Sequence, residues 1–128
     1  EVPLLGPRPI ICQETCAMIA TESSEEAHYL AAMLNSSVVG FLVEAHNVPG
    51  GKGFGSPGML EFLGIRRFDA ASADHRELTS LGRAAQAAAA EGGDLGQLQE
   101  AIDTTTARIY QIDPSVARSL VRFTAKAQ

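Results

Sequence analysis

"ADHRELTSLGRAAQAAAAEGGDLGQLQEAIDTTTARIYQIDP", residues 73–114, decides the fold class. Leu78, Leu81, Ala85 and Ala88 recur at helical spacing through an alanine-rich stretch and mark one amphipathic helix near 75–91. Asp74 and Glu77 stand at its start as a capping pair. Glu91-Gly92-Gly93 stops it, because glycine enters the left-handed conformation that closes a helix without steric cost. Asp94 opens a second helix, near 94–111, with Leu95, Leu98, Ile102 and Ile109 on one face. So short a connection between two one-sided helices predicts an antiparallel pair. Asp113-Pro114, an N-cap residue followed by proline at the first helical position, starts a last helix. That helix turns Val116, Leu120 and Phe123 inward and sets Arg118, Arg122 and Lys126 on another face.

Upstream the patterning is mixed. Residues 8–21, "RPIICQETCAMIAT", are apolar and β-branched after a proline-rich entry and read as a strand or half a hairpin. The period changes at Ser23, which forms an S-x-x-E capping box with Glu26. Ala27, Leu30, Ala31 and Leu34 then trace one helical face. Asn35–Ser37 interrupts it, with asparagine suited to close one helix and serine to open the next. "VVGFLVEAH" fits strand or helix by period alone, and Ile65 and Phe68 anchor a short extended segment. The prediction is an α+β fold, mostly helical. A small β element from 8–21 and the segment around 59–68 stands with helices in the N-terminal half, followed by a helical hairpin and a final helix. Residues 1–70 are the mixed part and 71–128 the helical part, together one domain cut from a longer protein: the chain begins abruptly at Glu1.

Composition narrows the class. With 128 residues the chain can bury a core without covalent staples. Cys12 and Cys16 are not spaced as CxxC and have no second pair, so they read as small buried hydrophobes in a reducing cytoplasm. No apolar run is long enough to span a bilayer. The net charge of −5 argues against a self-sufficient nucleic-acid binder, which gains affinity by neutralising phosphate. It leaves room for a domain that adds a few contacts while another carries the basic surface.

"GGKGFGSPG", residues 50–58, imitates a phosphate cradle, since Gly53, Gly55 and Gly58 spell GxGxxG beside Lys52. A dinucleotide fingerprint needs a buried strand immediately before it, and here "EAHNVP" reads as a turn. A Walker A loop needs a glycine where His46 stands and Ser or Thr where Gly53 stands. The loop is therefore a surface connector or a partner contact. Neither Lys52 nor Lys126 has an acid two residues before it, so the metal-nuclease pattern is missing. His28, His46 and His75 make no zinc spacing with the cysteines and read as helix-surface or loop positions. No serine or cysteine sits in a nucleophile motif. Glu22, Glu25 and Glu26 gather at a helix start, where the dipole favours them.

The order of elements resembles the C-terminal target-recognition region of N6-adenine DNA methyltransferases, the type IIG restriction-modification family. The matching stretches are Glu25–Leu30, Leu34–Ser36, the 50–56 loop, Ile65–Asp69 and His75–Leu78, followed by "AIDTTTARIYQIDPSVARSL" at 101–120. A looser likeness runs to specificity subunits of type I restriction systems. The resemblance covers most of residues 22–122 and favours helix for "VVGFLVEAH". It departs at Arg66, where the family has proline, and at Ile109-Tyr110-Gln111 in place of "LYGI".

The resemblance implies double-stranded DNA and an upstream methyltransferase domain as partners. It also implies S-adenosylmethionine as cofactor of the parent protein and none in this chain. The family's adenine-pocket motif is absent, since "DPS" at 113–115 lacks the second proline and the aromatic residue. The chain then reads as a non-catalytic recognition module. Lys52, Gly53, Gly55, Ser56, Arg66 and Arg67 are its candidate DNA contacts, because recognition needs backbone-fixing phosphate contacts as well as groups in a groove. The competing expectation is a helical interaction or spacer domain that docks on another domain or subunit of the same system. A positive face combining Lys52, Arg66 and Arg67 favours the first, and a bare apolar stripe on the 75–110 helices favours the second.

Overall fold

A computed structural model describes residues 18–46, 57–113, 115, 116 and 119. Helix α1 (Ser24–Leu34) starts at the N-cap Ser23. Ser23 Oγ accepts the Glu26 N–H at 3.1 Å, which is the first half of the expected capping box, but the Glu26 carboxylate accepts the Glu22 N–H at 3.1 Å, one residue before the N-cap whose N–H the full box requires. Asn35 closes α1, its side-chain amide donating to the Ala31 carbonyl. Ser36 serves both helices: its hydroxyl donates to Met33 O at 2.7 Å and accepts the Val39 N–H at 3.2 Å. Helix α2 (Ser37–His46) follows, so "VVGFLVEAH" is helical, and Glu44–His46, expected in a turn, belong to it.

Helix α3 (Pro57–Phe62) is short. Proline at its first position and Gly64 at φ +57° beyond its end delimit it. The expected pairing of 8–21 with 59–68 is thereby corrected: residues 59–62 are helical and 63–69 irregular. Residues 18–21 carry no regular structure, and no strand occurs among the described residues. The rest of the expected first strand lies outside them, with Cys12 and Cys16. So do residues 47–56 of the glycine-rich stretch, and Leu120, Phe123 and the Arg118, Arg122 and Lys126 stripe of the last helix.

Helices α4 (Ala73–Ala90) and α5 (Gly96–Ile109) form the expected pair. The N-cap of α4 is Ser72, whose hydroxyl accepts the His75 N–H, so Asp74 and Glu77 are not a capping pair. Gly92 at φ +69° and the Gly93 N–H bond to Ala88 O end α4 as the double glycine suggested. Asp94 makes a turn bond to the Gly96 N–H rather than the N-cap, and Leu95 is exposed. Asp113 accepts the Ser115 N–H at 2.8 Å where the last helix was expected to start, but Val116, expected to turn inward, is exposed.

One core draws Tyr29, Met33, Val39, Val43, Met59, Leu63, Leu78, Ile102 and Ile109 from all five helices or their ends. Its organising contact is α1 against α4. A Cβ on Gly82 would stand 2.5 Å from His28 O, so the two backbones cross where only glycine fits. This crossing also resets the face of α1. Tyr29, Ala32 and Met33 are buried, whereas Ala31 of the predicted stripe is exposed and Ala27, Leu30 and Leu34 only half-buried. A helix packed on more than one side buries a wider arc than a single stripe. No helix among the described residues is long and apolar enough to cross a membrane.

Candidate nucleic-acid interface

Of the candidate contacts, Arg66 and Arg67 lie within the described residues; Lys52, Gly53, Gly55 and Ser56 lie outside them. Both arginines are exposed and occupy the irregular stretch between α3 and α4. Such a stretch has few hydrogen bonds of its own, and ordering it costs about 1–2 kcal/mol of entropy per residue. Here three side-chain contacts hold its backbone, two of them from residues far away in sequence. The Tyr110 hydroxyl donates to Leu63 O at 2.9 Å, the Tyr29 hydroxyl donates to Arg66 O at 2.9 Å, and His75 Nδ1 accepts the Asp69 N–H at 3.0 Å. Every third residue, 63, 66 and 69, is pinned. Ile65 and Phe68, expected to anchor this segment, pack against the core between the pins. That leaves Arg66 and Arg67 facing outward.

The pins are themselves well supported. Tyr29 is fully buried and His75 nearly so, correcting the surface reading of that histidine. The rings of Tyr29 and His75 lie 4.7 Å apart and those of Tyr29 and Phe68 5.5 Å apart. Because His75 Nδ1 is an acceptor, the proton of the neutral ring sits on Nε2. Burial pushes the Tyr29 hydroxyl up to about 12, the charge of Tyr110 pushes the same way, and Arg66 opposes them. Burial also raises Tyr110. Both groups are thus held as neutral donors.

Further arginines adjoin this ledge. Phe68 lines a shallow recess of about 210 Å³ together with Glu25, Arg76, Thr79, Ser80 and Arg83. Arg76 also donates to the carbonyls of Ala70 and Ala71, tying down the turn into α4. Arg83 stands 3.8 Å from Glu25, and both are exposed. Four of the ten basic residues, Arg66, Arg67, Arg76 and Arg83, therefore lie on or beside the ledge in a chain of net charge −5. Arg108 differs: it is engaged by Asp74 and Glu77 on α4. The helices that flank the glycine-rich loop meet through His46 on Phe62, stacked at 3.8 Å.

Other sites were not legible beforehand. Buried Asp103 on α5 accepts the Ser37 N–H at 2.7 Å and a Gln99 amide proton at 3.0 Å, bracing the start of α2 from a distance. Tyr29 and Tyr110 carried a signal, since a buried tyrosine needs a partner for its hydroxyl, but nothing local names that partner. Between α1, α4 and α5 runs an apolar groove of about 600 Å³ lined by Ala27, Ala31, Ala85, Ala89, Leu95 and Ile102 among others. Comparison with protein-family models, curated proteins and solved structures gives no match for this chain.

Proposed function

We propose that this chain is the DNA target-recognition part of a restriction-modification adenine methyltransferase and is non-catalytic by itself. Its partners are double-stranded DNA and an upstream methyltransferase domain, which would bind S-adenosylmethionine. The supporting observation is the pinned ledge at 63–69, where two adjacent exposed arginines stand on a held backbone with Arg76 and Arg83 nearby. Functional contacts are commonly carried on non-regular segments positioned by a rigid scaffold. Arginine suits the task because its planar fork bonds phosphate oxygens in pairs.

Lys52 and Ser56, with the Gly53–Gly55 backbone, supply a second set of phosphate contacts in this reading. Replacing Arg66 and Arg67 together by alanine in the full-length protein is expected to weaken cognate and random duplex about equally. The salt slope should fall by about 2, and Lys52→Ala should lower it by about 1. Unchanged affinity and slope in both variants would sink the DNA reading. The apolar groove supports a second reading, a domain that docks on another part of the same system. In that case charged substitutions at Ala31 and Ala89 would abolish association with the upstream domain, and the arginine variants would bind DNA as before.

A further inference from the structure

The target-recognition reading makes Arg66 and Arg67 the contacts; what sets their position is a separate question. The bonds from Tyr110 to Leu63 O and from Tyr29 to Arg66 O cross from the residue that closes α5 and from α1 to a segment far away in sequence. Tyr29 bonds the carbonyl of one of the two contact residues themselves. A freely moving arginine pair must be ordered when it meets a phosphate, and that ordering subtracts from affinity; a held pair avoids the loss.

We infer that Tyr29 and Tyr110 are positioning residues for DNA: their hydroxyls fix the backbone of 63–66 so that Arg66 and Arg67 are set out for the phosphodiester backbone of a duplex. This rests on the target-recognition reading. It adds that an interior hydrogen bond, not only surface charge, governs the strength of binding. Tyr29 is the sharper case, because removing its hydroxyl leaves the ring in the core and takes away only the bond to Arg66 O.

The test is a double-mutant cycle in the full-length protein on a duplex oligonucleotide, with melting temperature recorded for every variant. Tyr29→Phe is expected to weaken duplex binding about threefold to fivefold, the equivalent of one hydrogen bond. In the Arg66→Ala, Arg67→Ala background the same Tyr29→Phe change should have no further effect on binding, although it lowers the melting temperature equally in both. Tyr110→Phe should follow the same pattern. Equal losses in both backgrounds would make the hydroxyls merely structural and overturn this inference while leaving the DNA reading intact. No salt-dependent duplex binding by the unaltered protein would overturn both.

Discussion

The α1–α4 crossing and the 63–69 ledge are held by opposite means. The crossing is two regular helices whose backbones satisfy their own hydrogen bonds. It depends on small residues, with Gly82 against His28 O, Ala32 beside it and the Thr79 hydroxyl donating to Glu25 O. The ledge is irregular backbone that borrows its order from Tyr29, Tyr110 and His75. Packing density limits the first, and side-chain hydrogen bonds, two donated by tyrosines and one accepted by His75, limit the second. A substitution that adds bulk should therefore damage the crossing, and one that removes a donor should damage the ledge.

The two can be broken separately. The largest effect is expected where both rest on the same core. Ile102 on α5 is buried in that core, and Ile102→Asp should cost about 4 kcal/mol or more, the range for a buried unpaired charge. Chemical denaturation measures this, and an unchanged midpoint would show that the face is not buried. Gly82→Ala should cost about 3 kcal/mol at the crossing, because the added carbon meets main chain that cannot rotate aside. Helix propensity alone would stabilise the same change by about 1 kcal/mol, so the sign of the measured effect decides whether the close approach exists.

At the ledge the probe is alkali. The Tyr29 hydroxyl is raised from 10.0 to about 12 in the fold, so the unfolded chain gives up this proton first as pH rises. Its contribution is complete below pH 10 and is lost as pH climbs towards 12. The loss amounts to roughly 2–3 kcal/mol at most, at about 1.4 kcal/mol for each pKa unit. Unfolding free energies of the parent and of Tyr29→Phe, followed from pH 9 to pH 12, should converge on this account. A constant gap between them would mean that the hydroxyl titrates alike in both states.

Helix ends were the most legible part of the chain. Ser23 with Glu26, Asn35 with the serine after it, and Gly92 with Gly93 act within a few residues, and each ends or starts a helix as read. Asp74 looked like a cap because an acid three residues before a glutamate fits the pattern, but Ser72 reaches the free N–H first and leaves Asp74 to pair with Arg108. The stripe on α1 was misplaced because the sequence does not say how many neighbours a helix will have. The strand expected around 59–68 gave way to a proline-started turn of helix and a ledge without regular structure. Gly82 is a glycine inside an alanine-rich helix that would be more stable without it. Such a residue marks a close contact even when the contacting partner is unknown.

For the candidate site, the sequence singled out Arg66 and Arg67 but not what holds them. Tyr29 lies 37 residues from Arg66, Tyr110 lies 47 from Leu63, and Asp103 lies 66 from the Ser37 amide it caps. By itself the sequence determined the local matters: where helices begin and stop, which residue types seek the interior, and that α4 and α5 pack against each other through a short turn. Capping, glycine conformation and helical period all act over a few residues, so they can be read along the chain. Only the tertiary structure decided that α1 is the main partner of α4, that its buried face centres on Tyr29, and that two arginines stand on a backbone pinned from both sides. Those features depend on groups brought together from distant parts of the chain. Periodicity records that a side chain is apolar or needs a hydrogen-bond partner, but not which partner it meets.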